Sequence, residues 1–248
     1  MSNSVEYSEG TSPLHRANPV SKVFLAICIC VSTFLAQGYP MLLGLLAFTV
    51  GMSFLGGVGR RTLKLLAGLL AVSAVMFLIQ TAISRQGQIV FLWVTDHGAS
   101  VAAHAGIRLL TFALPLMVML WVTRPTDLAN AFVEVLHVPY KYAFTITTAL
   151  RFVPIFSEEM DQIVEAQTAR GVEYDSGNIF HRFRLMMPLM VPLLISSVSK
   201  ADDTALAAEE RGFYLRTRES SYKRYPMRAL DLAIMGVGVA LVVLGVLF

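Results

Sequence analysis

The chain has 248 residues, of which 55% are hydrophobic and only 15% are charged. Soluble globular domains average about 25% charged residues, so this composition excludes an ordinary soluble domain and indicates an integral membrane protein. The net charge of +3 is too small to indicate nucleic-acid binding. The only two cysteines, Cys28 and Cys30, lie in an apolar run, which excludes a disulfide framework.

Five apolar runs are predicted to form transmembrane helices, because each approaches the roughly 20 residues that a bilayer-spanning helix needs. They cover residues 23–37, 41–58, 65–84, 107–122 and 230–248. The connection at residues 85–106 is predicted to lie outside the bilayer or in a short interfacial element. Arg108, at the start of the fourth run, is interpreted as an interfacial anchor. Gly236 and Ala240 in the last run form a small-xxx-small pair, which predicts a helix-packing face.

Lys and Arg counts in the connections predict the orientation in the membrane. Basic residues precede the first run and join the second to the third: Arg16, Lys22, Arg60, Arg61 and Lys64. The connection after the third run carries only Arg85. We therefore expect a multi-pass protein of the cell (cytoplasmic) membrane with a cytoplasmic N-terminus. The predicted order is a cytoplasmic segment (1–22), four transmembrane helices (23–122), a cytoplasmic helical region (123–228) and a last transmembrane helix (229–248).

The region at residues 123–228 combines dense charge with two strongly apolar segments. Thirteen basic and thirteen acidic residues lie in it, yet residues 144–156 and 185–198 are apolar. Residues 127–137 predict an amphipathic helix lying flat, with Leu128, Phe132, Val135 and Leu136 on one face. Residues 140–170 and 180–211 predict two helices about 45 Å long, each apolar in its first half and charged in its second. The predicted fold is an all-α polytopic membrane protein with about five transmembrane helices plus long cytoplasmic amphipathic helices.

Both long helices are predicted to end in the same dipeptide, Arg170-Gly171 and Arg211-Gly212. One interpretation is an ordinary helix end, because glycine adopts the left-handed conformation there without strain and a cation suits the helix dipole. The other is a pair of docking points, because a guanidinium pairs bidentately with a carboxylate on another protein. Two such ends would dock onto two acidic grooves, or onto two copies of one partner.

Several patterns for enzyme chemistry are incomplete. No phosphate-loop motif G-x-x-x-x-G-K-[ST] occurs in the sequence, so the chain is not expected to hydrolyse ATP. The acidic pairs Glu158-Glu159 and Asp202-Asp203 lack the companions that a protease or a prenyl-diphosphate site needs. His97 and His104 are too few to close a metal site. A membrane enzyme of the lipid-modifying or proteolytic type, using these acids, stays open as the alternative function.

A self-contained channel or secondary transporter is the second alternative. It predicts charged or broken-helix sites within the spans. The third and fifth apolar runs carry only Asp231, at a helix terminus.

The motifs together resemble the transmembrane T component of energy-coupling factor (ECF) vitamin and metal transporters. The resemblance begins at residues 12–24 (SPLHRANPVSKVF) and continues through LHVP at 136–139 and ALRFVPIF at 149–156. It is sharpest in EAQTARG at 165–171 and ADDTALAAEERGF at 201–213, which are similar to the family's paired Ala-Arg-Gly signatures. Glu210 departs from the family pattern, in which alanine usually precedes the second Arg-Gly.

The resemblance implies an energy-coupling subunit of an ABC importer, in which residues 123–228 form the cytoplasmic coupling-helix region and its long amphipathic helices are the coupling helices. It implies that two ABC-type ATPases, as a homo- or heterodimer, contact Arg170 and Arg211, supported by Ala169, Gly171, Glu210 and Gly212. A separate membrane-embedded S component is implied as the third partner. The lipid bilayer surrounds the chain, and no nucleic acid is expected. No catalytic residue, metal site or cofactor is expected in the chain itself. The transported substrate, whether biotin, another vitamin, cobalt or nickel, belongs to the S component.

Three methionines in the apolar half of the second long helix, Met186, Met187 and Met190, have two interpretations. Methionine fills gaps in helix packing, which needs no partner. A soft, repackable methionine surface also suits an S component that binds and leaves. Pro154, Pro188 and Pro192 lie in the apolar halves of both long helices and predict bends.

Overall fold

A computed structural model describes residues 10, 12–83, 89–91, 94–174, 178–215, 217 and 224–247. In these residues the helices are α1 (Pro13–Arg16), α2 (Pro19–Leu35), α3 (Tyr39–Leu55), α4 (Gly59–Ile83), α5 (Asp96–Val122), α6 (Pro125–Val135), α7 (Tyr140–Ala169), α8 (Ile179–Met186), α9 (Met190–Glu210) and α10 (Ala229–Leu247). The expected helical, multi-pass fold is confirmed. The ends of two predicted spans, Ser84 and Phe248, lie outside the described residues, as do Arg85 and residues 1–9.

Helices α2, α3, α4, α5 and α10 correspond to the five predicted transmembrane runs. The prediction for residues 85–106 is wrong in part, because α5 begins at Asp96 and two short antiparallel strands, β1 (Ile89–Phe91) and β2 (Val94–Thr95), precede it. The alanine-rich start of α5 favours helix.

Four described helical stretches are long and apolar enough to cross a membrane: Gly59–Thr81, Gly98–Val122, Phe183–Glu210 and Ala229–Leu247. Helices α2 and α3 are apolar but shorter. The stretch Phe183–Glu210 lies in the region predicted as cytoplasmic, and its apolar first half accounts for its hydropathy.

The described residues fall into two compact units. The first unit comprises those within Met1–Leu136 and Tyr225–Phe248, and the second those within His137–Arg224. Helix α6 therefore belongs with the transmembrane helices. It ends at Val135, and Leu136, predicted on its apolar face, is 56% exposed beyond the helix end.

Helices α2 and α10 pack closely in the first unit because glycines on α10 leave room for α2. A Cβ added at Gly245 would lie 2.5 Å from the Ser32 hydroxyl, and one at Gly238 would lie 3.3 Å from Cys28. The Ser32 hydroxyl also donates to the Leu241 carbonyl at 2.8 Å. The predicted packing face is wrong, since Gly236 is exposed with open space around it, and the face that packs is shifted to Gly238 and Gly245.

Asp231 is the centre of a buried polar cluster at the start of α10. Its carboxylate is 1% exposed and accepts hydrogen bonds from the Asn18 backbone N–H at 2.7 Å and the Ser21 hydroxyl at 2.8 Å. It also accepts one from the Arg228 backbone N–H at 2.8 Å, as the N-terminal turn of a helix favours. One charge therefore joins the first turn of α2 to the first turn of α10.

Tyr225 extends this cluster to α6. Its hydroxyl donates to Asp127 at 2.8 Å, its backbone N–H donates to Glu134 at 2.6 Å, and its carbonyl accepts from the Asn18 side chain at 2.8 Å. Burial raises the pKa of the Tyr225 phenol above its ordinary value, and the bond to Asp127 raises it further. The phenol therefore stays a neutral donor at physiological pH.

Arg108 connects α5 to the end of α2. Its guanidinium donates to the Ala36 carbonyl at 2.8 Å, and Ala36 is the C-cap of α2. A cation at a helix C-terminus is favoured by the helix dipole.

The second unit contains the two predicted long helices. Helix α7 matches its predicted range and continues through Pro154. The other predicted helix is also helical throughout its described length, with one 3-10 turn at Met187–Leu189 between α8 and α9. Pro188 lies in that turn and lacks the N–H that a continuous helix requires.

Replacing Gly245 by leucine should lower the stability of the first unit by about 1–3 kcal/mol, because the side chain has no room against Ser32. Gly236→Leu on the same helix is the matched control, since its side chain meets open space. The melting temperature of the detergent-solubilised protein measures the effect. Equal melting temperatures for the two variants would contradict this packing.

Asp231→Ala should destabilise the protein by about 2–4 kcal/mol, because three hydrogen bonds to a buried carboxylate are lost and their donors remain unpaired. Asp202→Ala, at an exposed position of α9, removes the same charge and should leave the unfolding midpoint unchanged. If both variants unfolded at the wild-type temperature, the cluster would not stabilise the fold.

Candidate coupling surface

The end of α7 has the geometry of a complete glycine C-cap. Gly171 has φ of 91°, its N–H donates to the Thr168 carbonyl at 2.9 Å, and the Val172 N–H donates to the Gln167 carbonyl at 3.1 Å. These two bonds define a Schellman motif, in which Arg170 is the C-cap residue. The left-handed glycine predicted from the sequence is confirmed here.

The end of α9 shares the left-handed glycine and one of these two bonds. Gly212 has φ of 67°, and its N–H donates to the Glu209 carbonyl at 2.9 Å. Arg211 is the C-cap residue. Each glycine ends its helix and leaves the preceding arginine as the last residue of the helical spiral.

Both signature arginines are exposed, and so are Ala169 and Glu210, which precede them. Within the described part of the chain, no hydrogen-bond or ion-pair partner is found for either guanidinium. An exposed guanidinium at a fixed helix end keeps its five N–H donors available for a carboxylate. This geometry suits both interpretations of the Arg-Gly ends, because a helix cap uses the backbone of the arginine and a docking point uses its guanidinium.

Helices α7 and α9 cross at a charged contact. The Glu159 carboxylate accepts a short hydrogen bond from the Ser196 hydroxyl and one from the Lys200 ammonium at 3.1 Å. The Lys200 ammonium also donates to the Ser196 hydroxyl at 2.9 Å. The hydrogen bonds from Ser196 and Lys200 hold the pKa of Glu159 below its ordinary value, so the contact is charged at physiological pH.

An aromatic cluster joins the start of α7 to the end of α9. The Phe213 ring centroid lies 4.6 Å from that of Phe144 and 5.4 Å from that of Tyr140. A groove of about 760 Å³ lies beside these rings, between the first half of α7 and the last turns of α9, and both Arg151 and Arg211 line it.

These contacts show that α7 and α9 run antiparallel, because the start of one lies beside the end of the other. Arg211 therefore lies near the first turn of α7, whereas Arg170 lies beyond its last turn. A helix of 30 residues is about 45 Å long, so the two guanidinium groups lie at opposite ends of the pair.

The three candidate methionines are on the surface of the second unit. Met186 is 48% exposed, and Met187 and Met190 are each 61% exposed. Neighbouring side chains on α9 continue this apolar surface: Val191, Leu194, Ile195 and Val198. The interpretation that the methionines fill gaps within this chain is therefore not supported.

The acidic residues that the membrane-enzyme hypothesis would use are not grouped as a catalytic site. Glu159 is held by Ser196 and Lys200, while Glu158, Asp202 and Asp203 are exposed. The described residues contain no group of three or more His, Cys, Asp or Glu side chains positioned to hold a metal ion.

The histidine candidates likewise give no metal centre. The His104 ring packs edge-on against Tyr39 with centroids 4.8 Å apart. The His97 side chain lies outside the described part of the structure.

Sequence reasoning missed Phe213 and the Glu159–Lys200 contact, because both join residues distant in sequence. A signal for Phe213 was present in its position directly after the second Arg-Gly.

The chain matches the CbiQ family, described as cobalt transport protein, over residues 10–222. It is 31% identical to the energy-coupling factor transporter transmembrane protein EcfT of Exiguobacterium sibiricum, over 96% of this chain and 97% of the relative. The EcfT proteins of Limosilactobacillus fermentum and Bacillus subtilis are 32% and 30% identical, covering 96% and 98% of this chain and 92% and 95% of theirs. These matches and the helical, multi-pass fold lead to one conclusion: the chain belongs to the family of transmembrane proteins of energy-coupling factor transporters.

Proposed function

We propose that this chain links two cytoplasmic ATPases to a membrane-embedded S component and so drives uptake of a vitamin or a metal ion. The observation that carries the proposal is the pair of exposed arginines at opposite ends of the antiparallel α7–α9 pair. Two similar ends roughly 40 Å apart, counted along α7 from Phe144 to Arg170, suit two ATPase subunits better than one small ligand.

Each ATPase contact uses an arginine held by a left-handed glycine. Arg170 and Arg211 present their guanidinium groups to acidic grooves on the ATPases, and the neighbours Ala169, Gly171, Glu210 and Gly212 shape the helix ends. The cap geometry supports this role, because backbone bonds already satisfy each helix end and leave the arginine side chain available. ATP hydrolysis takes place in these partners, and the chain itself is not an enzyme.

The S component binds the exposed apolar surface of the second unit. Met186, Met187 and Met190 form part of that surface, and methionine side chains adapt to partners of different shape. Large exposed apolar patches mark protein or membrane contacts. On this proposal the N-terminus and the coupling helices are cytoplasmic, and the choice of substrate belongs to the S component.

Charge reversal at the signature arginines tests the proposal. Arg170→Glu and Arg211→Glu should each weaken retention of one ATPase by roughly tenfold or more, because a like charge then faces an acidic groove. Native mass spectrometry of the assembly purified through this chain should find two ATPase subunits with the wild type, about one with either variant and none with the double variant.

Arg224→Glu is the control, because it makes the same charge change at an exposed arginine that is not at a helix end. It should retain both ATPases. A double variant that still carries two ATPases and transports normally would refute the proposed mechanism.

A further inference from the structure

Phe213 connects the Arg211-Gly212 end of α9 to helix α7. It follows Arg211-Gly212 directly, yet its ring packs on Phe144 and Tyr140 in the first turns of α7, at 4.6 and 5.4 Å between centroids. Ring pairs at these separations attract one another in addition to the apolar area that they bury. The end of α9 is therefore attached to α7 through a side chain two residues from the exposed arginine.

The neighbouring residues show that this contact is specific. Tyr214, the next aromatic residue, is 77% exposed, whereas Phe213 is partly buried. The position equivalent to Phe213 after the first Arg-Gly is Val172, which has no ring. The two Arg-Gly ends therefore differ in the residue that follows the glycine, which is aromatic only after Gly212.

A second contact, which we call a second joint, connects α7 and α9 nearer the end of α7. Glu159 on α7 bonds Ser196 and Lys200 on α9, 15 residues after Phe144, which is about 22 Å along a helix. Two joints at this separation restrict both sliding and rotation of one helix against the other. A displacement at the end of α9 is then passed to the first half of α7.

We propose that Phe213 is a positioning residue that transmits motion of the Arg211 end to the apolar first half of α7. This inference rests on the proposed function. The first half of α7 carries exposed apolar side chains, among them Tyr142, Ile146 and Val153. Arg170 acts on α7 directly, because it is the C-cap residue of that helix. Arg211 acts on α7 through Phe213. Both ATPase contacts therefore drive the same helix.

Phe213→Ala removes the rings' contact while leaving both arginines in place, and Tyr214→Ala is the matched control. In the assembly purified with its ATPases and placed in lipid nanodiscs, Phe213→Ala should lower ATP hydrolysis severalfold with both ATPases retained. Tyr214→Ala should leave the rate unchanged, and Phe213→Tyr should restore it. Phe144→Ala, on the other side of the contact, should reproduce the loss.

Combined variants separate a positioning role from a merely structural one. Adding Phe213→Ala to Arg211→Ala should lower the rate of ATP hydrolysis no further, because both residues act on one route. Adding Phe213→Ala to Arg170→Ala should lower it by the product of the two separate effects. Spin labels at Thr145 and Glu209, with Cys28 and Cys30 replaced by alanine, report the joint itself. Their distance distribution should be narrow and insensitive to ATP in the wild type, and broad with Phe213→Ala.

The outcomes distinguish this inference from the proposed function. If the arginine variants release the ATPases but Phe213→Ala leaves both hydrolysis and the label distances unchanged, the inference fails and the proposed function stands. If Phe213→Ala lowers the rate of ATP hydrolysis by the same further factor in both arginine variants, the route through Phe213 is likewise refuted. If the arginine variants themselves have no effect, the proposed function fails first.

Discussion

Helices α7 and α9 run antiparallel, and this direction decides where the two Arg-Gly ends lie. Each helix carries its arginine at its own C-terminus, so an antiparallel pair separates the two helix ends by most of the length of α7, roughly 40 Å. A parallel pair would have placed them side by side, where their charges repel. The direction is held by the aromatic contacts of Phe213 at one place and by the Glu159–Lys200 contact at another.

The same pair separates two kinds of surface. Arg170 and Arg211 are exposed at the helix ends, while Met187, Met190 and their apolar neighbours are exposed along the first half of α9. A soluble domain of this size would bury such side chains in its own core. We infer that partners or lipid complete the surface, with charge directed to one partner and apolar contact to another.

Features that depend on a few adjacent residues were predictable from the sequence. The left-handed conformations of Gly171 and Gly212 follow from the dipeptides that end the helices, and the apolar runs locate the transmembrane helices to within a few residues at most ends. The 3-10 turn at Met187–Leu189 was predicted only as a bend, because the missing N–H of a proline does not determine how many neighbouring residues change their hydrogen bonding. The early start of α5 was missed, because polar residues and glycines alternate with the alanines there and no strong apolar run marks the helix.

Features that join distant residues were not predictable in this way. The last helix contains several small residues, and only the structure shows that Gly238 and Gly245, rather than Gly236, face α2. The Asp231 cluster joins positions more than two hundred residues apart, at Asn18 and Ser21. Phe213 belongs to the same class, since its partners lie at the start of another helix.

Site-specific photocrosslinking tests the central claim most directly. A photoreactive amino acid at Ala169 or at Glu210, next to the two arginines, should capture an ATPase subunit at each position in the membrane-embedded assembly. A chain carrying both should capture two subunits at once, because the positions lie at opposite ends of the α7–α9 pair. Capture of lipid alone at both positions, or capture of one and the same subunit by both, would contradict the account.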